Sequence, residues 1–98
     1  MSLAVSFRAA ARAELVEAAA WYEAQRPGLG AEFITEIERC TAQASEAPEF
    51  YPVVYKNLRR AVVRRFPYSI YFRAESARIV VLAVFHGSRD PMIWPQRR

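Results

Sequence analysis

Cysteine and histidine each occur once in this 98-residue chain, as Cys40 and His86. A lone cysteine excludes an internal disulfide and a thiolate cluster, and one histidine leaves almost no donors for zinc. No metal and no cofactor are therefore expected. Glycine is sparse, with three residues, and there is neither a glycine-rich phosphate loop nor a Ser/His/Asp arrangement. No apolar run approaches the ~20 residues of a membrane-spanning helix. The opening Met1-Ser2-Leu3-Ala4-Val5 lacks the basic and long apolar stretches of a signal peptide, so a cytoplasmic location is expected. Repeats, linkers and low-complexity stretches are also missing, and residues 1–98 read as one domain. With 53% hydrophobic and 24% charged residues, the composition is that of a globular protein rather than a disordered tail.

Lysine is nearly absent as well, and the cations are almost all arginine. Their distribution is uneven. Residues 1–49 carry four arginines against eight glutamates, a net −4, whereas residues 50–98 carry ten cations against two carboxylates, a net +8. A basic half of this kind suits an acidic partner: nucleic acid, a nucleic-acid machine or an acidic protein segment. Arginine adds bidentate binding of carboxylate and phosphate.

Leu3, Val5 and Phe7 alternate with small residues and predict a first strand. From about Ala10 the spacing turns helical, with Ala11, Leu15, Ala18, Ala19 and Tyr22 on one face. Pro27-Gly28-Leu29-Gly30 turns the chain into a second helix, which runs to about Ala47. Its inward residues are Phe33, Ile34, Ile37, Cys40 (or Thr41) and Ala44, and its outward ones are Glu32, Glu36, Glu38 and Arg39. Cys40 then reads as core rather than as a nucleophile. Three strands follow: Leu58 to Arg65, the alternating Tyr68-Ile70-Phe72 segment, and Arg78 to Phe85. The last is apolar on both faces, as a covered central strand would be. The expected fold is α+β, in the order β-α-α-β-β-β, with a helix hairpin packed on a twisted antiparallel sheet.

Several segments in this order resemble the RelE/ParE superfamily of toxins from type II toxin–antitoxin systems, above all its ParE-like, plasmid-stabilisation branch. They are Trp21-Tyr22-Glu23, Pro27-Gly28-Leu29-Gly30 with Phe33, Tyr51-Pro52, Arg59-Arg60, Arg65-Phe66-Pro67-Tyr68-Ser69-Ile70-Tyr71, and His86-Gly87-Ser88-Arg89-Asp90-Pro91 with Trp94. The resemblance implies a growth-inhibiting toxin held inactive by a co-encoded antitoxin, and it spans nearly the whole chain. RelE-like members cut messenger RNA on the ribosome, whereas ParE-like members poison DNA gyrase.

Cleavage of RNA needs a base, an acid and cations around the scissile phosphate. The resemblance places the two lysine sites of the ribonuclease branch on Arg60 and Val62, and its next arginine on Ser69. Its later arginine is matched by Arg89, and its tail tyrosine falls near Trp94-Pro95, which has no hydroxyl. Arginine, with a pKa above ~12, is a poor general base. Weak catalytic candidates are therefore Arg60, His86 and Arg89, and the chain reads more readily as a binder than as an enzyme. Target binding is expected at Arg59, Arg60, Arg64, Arg65, Arg73 and Arg89. Strand alternation sends Arg60 and Arg64 to one face and Arg59 and Arg65 to the other, where one pair anchors acidic groups such as Glu36. Antitoxin binding is expected at Leu15, Trp21 and Phe33, in a seam with a basic rim, by an acidic segment that folds on binding. A ribosome-dependent endoribonuclease and a non-toxic relic binding module are the alternatives, and a dimer or a hetero-oligomer with the antitoxin is left open.

Overall fold

Alternating spacing gives way to helical spacing within two residues of Phe7. The computed structural model, which describes residues 2–87, turns there from strand β1 (Ala4–Phe7) into helix α1 (Ala9–Gln25). Pro27 and Gly28 end that helix, and Gly28 takes the left-handed φ of +90° that a side chain would resist. Helix α2 (Leu29–Glu46) begins at once, antiparallel to α1. Its first backbone N–H groups lack a side-chain cap from the preceding residue. Glu23 of α1 supplies one instead, accepting from the Gly28 and Gly30 amides at 2.9 and 3.0 Å. This places a carboxylate at the positive end of the α2 dipole. Gly30 lets the two helices touch, because a Cβ there would lie 2.6 Å from the Ala19 carbonyl oxygen.

A 3₁₀ turn (Pro48–Phe50) leads to β2 (Val53–Tyr55), β3 (Leu58–Val62), β4 (Tyr68–Ala74) and β5 (Arg78–His86). The sheet order is β1-β5-β4-β3-β2. The strands from β2 to β5 pair antiparallel, and β1 adds to β5 in parallel, with Ala4 opposite Arg78 and Phe7 opposite Val81. Beyond Phe7, β5 continues past the end of β1. Glu14 of α1 reaches in there and accepts the Val84 amide at 3.0 Å.

The helices cover one face of the sheet. Phe33 and Ile37 pack there on Ile70, Phe72, Ile79, Val81 and Val84. Leu58, Tyr71, Val80, Leu82, Ala83 and Phe85 form a second buried cluster on the opposite face. A bulge in β5 keeps the two sets in phase: Tyr71 pairs with Ala83 and Phe72 with Val81, so Leu82 is the extra residue. Without it, every residue of β5 from Ala83 onward would change faces.

The helix hairpin, the antiparallel β3-β4-β5 run and the two-faced last strand are as expected. Other details differ. The first strand pairs in parallel, across 70 residues of intervening chain that periodicity cannot see. A short edge strand, β2, precedes the three strands expected after the helices. The strand predicted to run to Arg65 stops at Val62, because Arg65 has a left-handed φ of +72° and turns the chain toward α2. On α2 itself, Glu36 was expected outside but is 5% exposed, and Ile34 was expected inside but is 36% exposed. Ion pairs to Arg39 at 3.1 Å and Arg65 at 3.6 Å account for the buried carboxylate.

Candidate functional site

The arginines of β3 and of the turn after it divide between the two faces of the sheet. Arg59, opposite Phe72, faces the helices, and its Nη1 donates to the Tyr51 carbonyl at 2.7 Å. Arg65 also lies on the helix side, with Nη2 2.7 Å from Glu32 Oε1 and the guanidinium over the Phe66 ring. That hydrogen bond holds the Glu32 carboxyl below the usual range and, in return, raises the Arg65 guanidinium. Both arginines therefore fasten the hairpin of β3 and β4 and the chain before it, as was expected of one such pair.

The other face carries Arg60, opposite Tyr71, whose Nε donates to the buried Ser69 Oγ at 3.1 Å. This bond fixes the stem of the side chain and leaves the terminal guanidinium nitrogens able to receive an anion. Arg73 lies on the same face, two residues along β4 from Tyr71, but its Nε is spent on Glu75 at 3.1 Å. Arg78 binds the other oxygen of Glu75 at 2.9 Å. These two hydrogen bonds, from Arg78 and then Arg73, lower the Glu75 carboxyl. Arg64 is exposed and forms no ion pair among the described residues. Arg89 lies outside the described residues.

His86 does not join the arginines. It pairs with Tyr68 across the strands and rests edge-on against that ring, 5.3 Å between centroids. Val84 belongs to the helix-side cluster and Phe85 to the opposite one, so alternation places His86 on the helix side. Arg60 and His86 are thus on opposite faces of the sheet and cannot flank one phosphate.

His86 instead lines a cleft of about 340 Å³ between α1 and the end of β5, with Glu14, Glu17, Ala18, Trp21, Tyr68, Val84 and Phe85. Among the described residues two carboxylates and no arginine or lysine line it, and those carboxylates repel a nucleic-acid backbone. Sequence reading missed Glu14, Glu17 and Tyr68 here. The i, i+3 and i, i+7 spacing of Glu14, Glu17 and Trp21 gives one helix face, but nothing in the pattern marks the strand end brought against it.

The expected antitoxin residues separate in the same way. Trp21 is 60% exposed at the cleft, whereas Phe33 is 0% exposed. Phe33 cannot floor a surface groove, since the rings of Tyr22, Phe66 and Tyr68 enclose it at 4.9–5.2 Å of it or of one another. Leu15 is half-buried against the same core. Among the described residues the carboxylates at this cleft, Glu14 and Glu17, come from α1, where basic groups from the sheet were expected. Cys40 sits in the core as expected, with burial pushing its thiol up to about 11. Among the described residues no group of His, Cys, Asp and Glu could hold a metal, and no helix is long and apolar enough to cross a membrane.

Known proteins supply the context for this geometry. None of the curated protein sequences matches the chain. Among solved structures, the chain is similar to one from the chromosomal ParDE toxin–antitoxin system of P. aeruginosa, with a TM-score of 0.77 at 16% identity, over 89% of this chain and 98% of that one. It is also similar to one from the RelBE2 toxin–antitoxin complex of Mycobacterium tuberculosis, with a TM-score of 0.61 at 20% identity, over 88% and 99% of the two chains. At these identities the likeness shows the fold. A family model for the ParE toxin of type II toxin–antitoxin systems matches residues 5–91. The chain belongs to the ParE toxin family of type II toxin–antitoxin systems.

Proposed function

We propose that this toxin arrests growth in the cytoplasm by binding its target, as a ParE-like inhibitor with DNA gyrase as the first target to examine, and that a co-encoded antitoxin silences it. The single observation carrying the choice of binding over RNA cleavage is the separation of Arg60 and His86 on opposite faces of the sheet. A general acid–base pair must reach one substrate together. Here the titratable histidine opens on an acidic cleft, and the available cation lies on the far side of β3 and β4.

The face carrying Arg60, together with the exposed Arg64 two residues past the end of β3, is the surface offered to the target. Arg73 adds positive charge beside it, although much of that charge is answered by Glu75. Arg59 and Arg65 support this surface from behind, through Tyr51 and Glu32.

Inducible expression of the chain, alone and with its neighbouring small gene, tests the proposal. Growth arrest with a DNA-damage response, relieved by the neighbour, is the expected result. Arrest without DNA damage would remove gyrase as the target, and growth unaffected at full expression would favour the non-toxic binding module.

A further inference from the structure

The charge of the cleft between α1 and β5 runs against that of the molecule. The chain as a whole carries a net charge of +4, yet among the described residues the acidic and basic side chains lining the cleft are Glu14 and Glu17, together with His86. Glu14 is engaged by the Val84 amide. Glu17 has no ion pair and no hydrogen-bonded cation among the described residues. Four residues further along α1, on the same helix face, Trp21 stands 60% exposed. Its one ring neighbour among the described residues is Tyr22, edge-on at 5.2 Å, so the indole is not enclosed. An exposed indole thus stands beside a carboxylate that has no ion pair among the described residues, over a cavity of about 340 Å³ backed by Tyr68 and His86; an indole face and a carboxylate are the groups that attract a cation on an apolar stem.

We propose that this cleft takes an arginine or lysine side chain from the partner antitoxin, with the charged head against Glu17 and over the Trp21 ring and the methylene stem in the cavity. The inference rests on the antitoxin-bound reading above and adds the chemistry of one contact to it. The occupant is basic because the described residues that line the cleft set two carboxylates, and no arginine or lysine, against an acidic side chain. An acidic residue would meet Glu17 without a counter-charge, at a cost in desolvation as well as repulsion. Arginine suits the site better than lysine, since its planar guanidinium stacks on an indole while binding a carboxylate edge-on. Acidic residues of the same partner would find their cations elsewhere, at Arg64 and on the face carrying Arg60.

The test titrates the full chain calorimetrically with the purified small protein encoded beside it, for wild type, Trp21→Ala, Glu17→Gln and Glu17→Arg. Both positions are exposed, so the melting temperatures of the free variants should match wild type and exclude a folding effect. Trp21→Ala should weaken binding about 3- to 30-fold, the span of a partly desolvated cation–π contact. Glu17→Gln should weaken it a few-fold, by an amount that shrinks as salt rises, and Glu17→Arg more strongly still. Unchanged or tighter binding by Glu17→Arg would overturn the basic occupant, whatever Trp21→Ala does. Unchanged binding by Trp21→Ala would overturn the cleft as the docking site, with the antitoxin reading left standing. A wild-type chain that binds no neighbour-encoded protein would remove both.

Discussion

Replacing Gly30 with alanine should destabilise the fold, although alanine is the better helix former. The new Cβ would lie 2.6 Å from the Ala19 carbonyl oxygen, and 3.0 and 3.1 Å from Oε1 and Cβ of Glu23. The first neighbour is backbone and cannot rotate away, so α1 and α2 must separate by more than half an ångström to reach ordinary contact, which begins at 3.4 Å. Overpacking of this kind costs about 1–3 kcal/mol. Propensity returns at most about 1 kcal/mol, and less in the first turn of a helix. The separation also stretches the Glu23 hydrogen bonds to the Gly28 and Gly30 amides. A net loss of about 1–2 kcal/mol should lower the melting temperature by about 5–15 °C for a domain of this size. Thermal unfolding followed by circular dichroism measures it. A melting temperature equal to or above wild type would show that the helices are not in the close contact described.

Acid should destabilise the toxin through Glu32 and Glu75, whose carboxyls are held below their usual range by arginine hydrogen bonds. A carboxyl lowered by folding stabilises above its unfolded pKa of about 4.3 and ceases to do so as pH falls through the folded value. Melting temperature should therefore fall on acidification below about pH 5, and Arg65→Ala should flatten the Glu32 part of that slope; an unchanged slope would refute the pairing. Cys40, with its thiol pushed up to about 11, should resist a disulfide-exchange reagent in the native protein at pH 8 and react at once in denaturant. His86→Ala should leave growth arrest nearly intact, whereas Arg60→Glu should reduce it. Loss of toxicity in a folded His86→Ala would return the histidine to the mechanism.

Local chemistry made much of this fold legible. Proline and glycine at 27, 28 and 30 marked the helix turn, and the unbroken apolar run from Ile79 to Phe85 marked the central strand. What stayed hidden depended on residues far apart in sequence. The parallel pairing of β1 with β5 and the Glu14 bond to Val84 join the two ends of the chain. Arg65 illustrates the limit at the site. Simple alternation grouped it with Arg59 but did not say which pair faces the helices, nor foresee the left-handed turn that follows β3 and brings it to Glu32. The carboxylates of the cleft were hidden for a related reason. Basic residues dominate the second half of the sequence, yet among the described residues the carboxylates lining the cleft come from one face of α1 in the first half.

Mapping transcript 5′ ends after toxin induction tests the central claim most directly. Inhibition by binding predicts growth arrest with no new 5′ ends inside translated codons. An accumulation of ends at defined codon positions, appearing before growth stops and absent when the antitoxin is co-expressed, would contradict it and make the toxin a ribonuclease.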